Sequence, residues 1–194
     1  MGRPRRFRTI YADPAWNYDD KCHAGRRGAE YVYPCMSDED VMGLPVQEIA
    51  ADESTLFLWA TWPKLTVALD VIACWGFEYS TIGFIWVKTA KHQPRSDTYQ
   101  PPRLHWGMGH WTRANSEPCL FARRGRPKAL SHSIHSVVHA PVGLHSAKPS
   151  EVRERIQTLT PAPRAELFLR GPVSPGWWGW GNQAEGPRTF EMRA

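Results

Sequence analysis

The feature that most constrains this 194-residue chain is an uninterrupted apolar run, Thr55–Ala60, with the sequence TLFLWA. A strand of this composition has to be covered on both faces, which is typical of a parallel sheet between two layers of helices. The same kind of pattern predicts further strands at Arg8–Ala12, Tyr79–Val87, Glu117–Ala122 and Glu166–Leu169. The sequence therefore predicts an α/β fold with three layers and a mostly parallel central sheet.

Helix signals fall between these strands. Ser37 precedes three acidic residues, the pattern of a hydroxyl cap with acids in the first turn. Pro63 fits a first helical position with Gly76 as the stop, and Pro149 opens another helix. Because strands and helices alternate without a linker, we expect a single domain over residues 1–194. No apolar run is long enough for a membrane helix.

The basic residues are concentrated in two segments. Residues 88–128 hold nine Lys and Arg against Asp97 and Glu117, a net charge of +7, and residues 1–10 hold four arginines and no acid. We expect residues 89–116 to be an inserted basic, aromatic substrate loop, whose charges bind a polyanion and whose rings contact bases. The predicted substrate-binding residues are Trp106, Trp111, Arg123, Arg124 and Arg126, aided by Arg3, Arg5, Arg6 and Arg8.

The spacing of cysteines and histidines argues against a metal site. The four cysteines, at positions 22, 35, 74 and 119, form no CxxC pair. His132, His135, His139 and His145 have no standard ligand spacing and no carboxylate among them, so we predict a solvated loop and no metal. With no secretory signal and no disulfide framework, we expect a cytoplasmic protein with free thiols.

The tetrapeptide Asp13-Pro14-Ala15-Trp16 directly follows the first predicted strand, and ligands bind beyond the carboxyl ends of such strands. The Asp13 carboxylate and the Pro14 carbonyl are two acceptors that suit the two hydrogens of an exocyclic amine, and Trp16 suits the face of the ring that carries it. Holding both hydrogens localises the nitrogen lone pair and directs it at an electrophile. Taken alone, the tetrapeptide also fits an Asp-Pro turn beside a core tryptophan. Three tryptophans among glycines are further stacking candidates: Trp177, Trp178 and Trp180.

From these residues onward the chain resembles the MT-A family of adenine N6-methyltransferases, whose Asp-Pro-Pro-Trp signature is Asp13-Pro14-Ala15-Trp16 here. The similarity continues in the family's order through Tyr33–Asp38, Leu56–Thr61, Gly83–Thr89, Gly109–Trp111 with Glu117–Leu120, His145–Pro149, Glu166–Phe168 and Gly181–Gln183. It covers nearly residues 8 to 186. The resemblance implies a Rossmann-like methyltransferase fold with permuted motif order, the catalytic turn preceding the cofactor strand.

The resemblance also implies S-adenosylmethionine as the cofactor and assigns roles to residues. Asp13 and Pro14 would hold the amino group, Trp16 would wall the base, and Tyr33 would contact the substrate. The positions that match cofactor-binding residues are Asp13, Lys148, Glu166, Phe168, Arg170, Asn182 and Gln183.

The chain departs from the family pattern in three places. Ala15 replaces the second proline of the signature, and Gly171–Ser174 lacks the His-Asn pair that some relatives use on the ribose. An upstream cofactor contact of longer members is missing. We therefore expect a homodimer or a methyltransferase-like partner subunit to cover the cofactor there.

We predict a site-specific DNA (adenine-N6) methyltransferase that uses S-adenosylmethionine, in the cytoplasm of a bacterial or phage-infected cell. Two alternatives are an RNA adenosine N6-methyltransferase and a catalytically silent subunit that only binds nucleic acid. Silent members lose the aspartate of the catalytic turn, which this chain keeps as Asp13. Methylation of cytosine N4 or of a protein amide would use the same amine-holding chemistry, but the cytosine enzymes commonly carry serine in place of the aspartate.

Overall fold

The structure is a computed structural model that describes residues 6–18, 36–91, 101–107, 109, 111–143 and 147–192. Its strands are β1 (Phe7–Ala12), β2 (Ala50–Trp59), β3 (Glu78–Thr89), β4 (Ser116–Arg124), β5 (Val137–Pro141), β6 (Arg164–Leu167), β7 (Arg170–Pro172), β8 (Trp177–Trp180) and β9 (Gln183–Glu185). Its helices are α1 (Asp38–Met42), α2 (Val46–Ile49), α3 (Leu65–Cys74) and α4 (Ser150–Leu159), with a short 3-10 helix at Trp62–Lys64 before α3. None of the helices in these ranges is long and apolar enough to cross a membrane.

The central sheet has seven strands in the order β5-β3-β4-β2-β1-β6-β8. Only β4 runs against its neighbours, β2 and β3, while the other adjacent strands are parallel. The carboxyl ends of six strands and the beginning of β4 therefore lie along one edge, called here the C-terminal edge. This architecture confirms the predicted α/β fold with a mostly parallel sheet.

Two apolar layers cover the two faces of the sheet, because side chains alternate between the faces along each strand. Leu56 and Leu58 of β2 point into one layer with Val71 and Ile72 of α3. Phe57 and Trp59 point into the other layer, which contains Val152 and Ile156 of α4. The continuous apolar run of β2 is thus explained by burial on both sides, as predicted.

The helix signals are confirmed in detail. The Ser37 side chain accepts a bond from the Asp40 backbone N–H, and the Asp40 side chain accepts one from the Ser37 backbone N–H. This reciprocal capping box satisfies two of the free donors at the start of α1. Gly76 ends the turn after α3 with φ of +77°, a left-handed conformation that favours glycine. Pro149 caps α4, whose residues Val152 and Ile156 are buried.

Three expectations were wrong in this part of the chain. The glycine-rich segment of Trp177, Trp178 and Trp180 is not a loop but strand β8, and Trp177 is fully buried beside β6. His139 lies on β5, which pairs with β3, so the histidine segment is not entirely a solvated loop. Leu169 lies outside β6, because the chain turns at Phe168 with φ of +62°. Strands β5 and β8 have only five and four residues, VVHAP and WWGW, and neither shows the apolar–polar alternation that would mark a strand.

Gly181 provides a test of how the end of β8 is packed. A Cβ at this position would lie 2.5 Å from the backbone oxygen and 2.8 Å from the backbone nitrogen of Leu169, where neither atom can move aside cheaply. We expect Gly181→Ala to lower the free energy of unfolding by roughly 1–3 kcal/mol, as overpacking does. The matched control is Gly143→Ala, whose Cβ would find its nearest neighbour at 3.6 Å. Urea denaturation of both variants measures the difference, and equal stabilities would contradict this packing.

Candidate active site at the C-terminal edge

Residues from separate strands meet at the C-terminal edge because of the sheet register. Ala12 of β1 pairs with Leu58 of β2, and Trp59 of β2 pairs with Cys119 of β4. Asp13 therefore emerges from β1 at the level where β4 begins with Ser116 and Glu117. The antiparallel direction of β4 thus brings a glutamate from the start of a strand to the edge where the other strands end.

Five charged side chains alternate in sign along this edge. Lys148 Nζ lies 2.7 Å from Asp13 Oδ1 and 3.4 Å from Glu117 Oε2, so it bridges the two carboxylates. Lys88 at the end of β3 binds the other oxygen of Glu117, Oε1. Arg170 on β7 lies 3.9 Å from Asp13 Oδ2. We call these five residues the charged network, which consists of three cations and two carboxylates.

Lys148 is the central cation of the charged network. Its side chain is 12% exposed, and those of Asp13 and Glu117 are 21% and 9% exposed. Burial on its own lowers the pKa of Lys148, but the charges and hydrogen bonds of Asp13 and Glu117 outweigh burial and raise it above 10.5. Lys148 is thus held as a cation between two carboxylates in the ligand-free protein.

Trp59 supports the Asp13 turn from inside the core. Its backbone oxygen accepts a bond of 3.1 Å from Trp16 Nε1, and its own Nε1 donates a bond of 2.6 Å to Tyr11 Oη. Lys148 Nζ lies 5.5 Å from the centre of the Trp59 ring, within cation–π range. Burial raises the pKa of Tyr11 well above 10.0, so its hydroxyl stays neutral. The backbone and the indole of one buried tryptophan therefore contact residues on both sides of Asp13.

A pocket opens between the turn and the charged network. The described residues that line it are Asp13, Pro14, Ala15, Trp16, Tyr18, Trp59, Ala60, Thr61, Glu117, Lys148 and Arg170. The predicted catalytic residues are thus together in one pocket with Lys148 and Arg170, so three of the predicted cofactor residues, Asp13 included, line it. Trp16 is 5% exposed and packs into the core, so little of its ring is accessible from the pocket. The Pro14 carbonyl already accepts a 3.0 Å bond from the Trp16 backbone N–H, which leaves one of its lone pairs for a ligand.

The remaining predicted cofactor residues lie along the same edge but outside this lining. The Glu166 carboxylate forms two bonds to the Arg153 guanidinium of α4, at 2.7 and 2.8 Å. Phe168 packs edge-on against Trp180, with ring centres 5.3 Å apart. Asn182 and Gln183 are exposed after β8, and Gln183 pairs with Arg170. None of these four residues is in the lining of the pocket at Asp13, and Glu166 is turned to Arg153. The cofactor roles of these residues stay predictions.

The predicted substrate residues divide between two edges of the sheet. Residues 90–115 connect β3 to β4, and their described part lies at the C-terminal edge, where the His105 N–H donates to the Lys88 oxygen. Trp106 and Trp111 in this segment are 77% and 100% exposed, and the Arg113 guanidinium lies 5.2 Å from the Trp106 ring centre. Tyr33, Arg3 and Arg5 lie outside the described residues.

Arg123 and Arg124 lie at the opposite edge of the sheet, and Arg126 follows them, so these predicted substrate residues are remote from Trp106 and Trp111. Arg123 pairs with Thr55 near the beginning of the run in β2, while Cys119 pairs with Trp59 at its end. Six residues of strand separate Arg123 from Glu117, which corresponds to roughly 20 Å. Their contact with a substrate stays a prediction, and it would involve nucleic acid that extends well beyond the pocket.

Sequence reasoning assigned no site role to Glu117, Tyr18 or Thr61, and it counted Lys88 only as part of a basic segment. A usable signal existed for Glu117, since a buried strand that begins with an acid next to Pro118 is unusual. Tyr18 and Thr61 meet through their hydroxyl groups across the pocket. No group of three or more His, Cys, Asp or Glu with metal-binding geometry occurs within the described ranges.

The chain is similar to one protein family and to several known proteins. The MT-A70 family model matches residues 7–183. Type II methyltransferase M.MunI from a Mycoplasma species is 28% identical over 213 residues, which cover 97% of this chain and 84% of that protein. N(6)-adenosine-methyltransferase MT-A70-like from Arabidopsis thaliana is 29% identical over 186 residues, and a probable counterpart from Oryza sativa subsp. japonica is 29% identical over 187. Each plant match covers 95% of this chain but only 24% of the plant protein.

Removing the central cation tests the electrostatics of the site. Lys148→Met leaves two carboxylates facing each other, so we expect a loss of roughly 3–5 kcal/mol in the free energy of unfolding near neutral pH. Because the pKa of Lys148 is raised in the folded state, its contribution is complete below 10.5 and is lost as the pH rises through the raised value. On the alkaline side, the difference in stability between wild type and variant should therefore shrink only above pH 10.5.

The measurement is urea denaturation of wild type and Lys148→Met across the alkaline range. Lys128→Met, which removes an exposed lysine after β4, serves as the control for the general effect of a lost charge. A Lys148→Met variant no less stable than Lys128→Met would contradict the bridging role.

Proposed function

Because this chain belongs to the MT-A70 family, we propose that it transfers a methyl group from S-adenosylmethionine to N6 of adenine in DNA. The family and the relatives support adenine N6 methylation. Similarity to a Type II methyltransferase over 84% of its length favours DNA, whereas the plant adenosine enzymes match over only a quarter of theirs. The observation that carries the proposal is the pocket that Asp13, Pro14 and Trp16 line together with Lys148 and Arg170.

The donor set fits the proposed cofactor. Lys148 and Arg170 are cations suited to the carboxylate of a methionine moiety, and Lys148 lies within bonding distance of Asp13. Asn182 and Gln183 are exposed at the carboxyl end of β8, beside the strand that carries Glu166, where sheets of this type bind nucleotides. When bound, S-adenosylmethionine supplies an electrophilic methyl group on a sulfonium.

The chain's own residues position the amine. An ionised carboxylate has about four acceptor sites, and Lys148 takes one of those on Asp13, so acceptor capacity is left for one amine hydrogen. The free lone pair of the Pro14 carbonyl accepts the other. With both hydrogens held, the nitrogen lone pair would be localised and directed at the methyl group that S-adenosylmethionine would supply. The Asp13 carboxylate would accept the proton that N6 releases on forming the new N–C bond.

Catalysis of this kind is mainly positioning, which can supply several kcal/mol of the barrier. Trp59 contributes by fixing Trp16 on one side of the turn and Lys148 on the other. Since the target adenine in a duplex is stacked, it has to be flipped into the pocket at a cost of a few kcal/mol. We assign the segment 89–116, with exposed Trp106 and Trp111, to holding the nucleic acid during this step.

The presence of Asp13 in the pocket argues against a catalytically silent subunit. RNA stays the alternative polymer, supported by the plant adenosine relatives. A homodimer or a partner subunit would cover the cofactor beside the exposed Asn182 and Gln183, and we place the protein in the cytoplasm, where nucleic acid is accessible.

Asp13→Asn is the variant that separates chemistry from folding. The amide keeps the size of the side chain but places an NH2 group where the amine hydrogen has to be accepted, so we expect methyl transfer to fall by about 10²-fold or more. Transfer of tritium from labelled S-adenosylmethionine to DNA, under single-turnover conditions, measures the rate. Asp70→Asn, at an exposed position of α3, is the control. Turnover of Asp13→Asn close to that of Asp70→Asn would show that the turn does not hold the amine.

A further inference from the structure

Trp62 is an exposed tryptophan whose orientation is fixed. It begins the 3-10 helix that follows β2, and its side chain belongs to neither of the two apolar layers. Its Nε1 donates a 3.0 Å bond to Ser116 Oγ at the beginning of β4. The backbone is also restrained, since Pro63 follows it and the Lys64 N–H donates to the Thr61 oxygen. A large apolar ring at 43% exposure is thus held in place without being buried.

The position of Trp62 is at the rim of the pocket. Thr61, the residue before it, lines the pocket, and so does Glu117, the residue after its partner Ser116. Two separate strands therefore place the indole next to the opening, while the ring itself is not part of the lining. A base that occupies the pocket would have its neighbour in the same strand close to this ring.

We propose that Trp62 is a stacking platform for the nucleotide next to the target adenine. The inference rests on the proposed function, since it needs an adenine in the pocket. The turn and the pocket walls hold the target base. Because Trp62 lies outside the pocket, its ring contacts the adjoining base instead. Unstacking the target exposes one face of that neighbour, and the indole covers it.

Stacking on Trp62 would also add binding affinity that does not depend on charge. A base stacked on an aromatic side chain contributes about 1–3 kcal/mol, which corresponds to roughly 5- to 150-fold in affinity. The ring is already oriented by Ser116 and Pro63, so little side-chain freedom is lost on binding. This differs from Trp111, which is 100% exposed within the long connection between β3 and β4.

Tyr79 is a well-matched control. It is an aromatic residue of nearly the same exposure, 42% against 43% for Trp62. It lies at the beginning of β3 and pairs with Ala122 of β4, at the edge of the sheet opposite the pocket. Tyr79→Ala therefore removes a similar exposed aromatic area but leaves the rim of the pocket unchanged.

The test is a thermodynamic cycle on binding. The probe is a fluorescein-labelled single-stranded 11-mer of thymine with one central adenine, and its counterpart carries an abasic site next to the adenine, on one side or the other. Fluorescence anisotropy gives Kd for wild type, Trp62→Ala, Trp62→Phe and Tyr79→Ala. We expect Trp62→Ala to weaken binding of the intact probe by 5-fold or more, Trp62→Phe to retain most of the affinity, and Tyr79→Ala to match wild type.

The decisive result is the coupling between side chain and base. If Trp62 stacks on the neighbour, one of the two abasic probes binds wild type 5-fold or more weakly but binds Trp62→Ala as tightly as the intact probe does. The proposal would be overturned if the loss of affinity from Trp62→Ala and the loss from the abasic site were simply additive. It would also be overturned if Trp62→Ala bound the probe as tightly as Tyr79→Ala does, or if wild type did not bind the probe. Tritium transfer by wild type is measured separately, so failure of the proposed function is distinguished from failure of this contact.

Discussion

The bridge that Lys148 forms between Asp13 and Glu117 is the interaction on which the site depends. It joins the end of β1, the beginning of β4 and the segment before α4, which are three parts of the chain far apart in sequence. Each of its carboxylates would be costly to bury without a cation, and each has two within 4 Å. The charged network therefore fixes the position of the Asp13 turn, and it can form only because the strands converge there.

The single antiparallel strand has a direct consequence for this chemistry. In an entirely parallel sheet, the start of a strand lies at the edge away from the ligand site. Because β4 is reversed, Glu117 reaches the C-terminal edge while Arg123 and Arg124 are carried to the other edge. The same reversal places Ser116 beside Trp62, so it also shapes the rim of the pocket. One change of strand direction thus determines both which charges enter the site and which remain remote from it.

Much of the fold and part of the site were predictable from particular residues. The apolar run of β2, the capping residues of α1 and the glycine after α3 each follow from a local rule, and each was located correctly. Taken alone, the tetrapeptide at Asp13 fits an amine-binding turn and also an Asp-Pro turn beside a core tryptophan, so the residues by themselves do not decide between the two. Local rules did not predict β5 and β8, because these strands are short and irregular in pattern. Nor did they predict contacts between residues far apart in the fold: the pairing of Glu166 with Arg153 depends on how α4 packs across the sheet. Resemblance to a family supplied the order of the motifs, but it did not reveal the charged network that joins them.

The proposed activity of this site is methylation of N6 of adenine in DNA. The most direct test is mass spectrometry of nucleosides from DNA and, in parallel, RNA that have been incubated with the protein and deuterium-methyl S-adenosylmethionine. We expect labelled N6-methyldeoxyadenosine from the DNA sample and none when Asp13→Ala replaces wild type. Label on cytosine N4, label in RNA alone, or unchanged labelling by Asp13→Ala would contradict it.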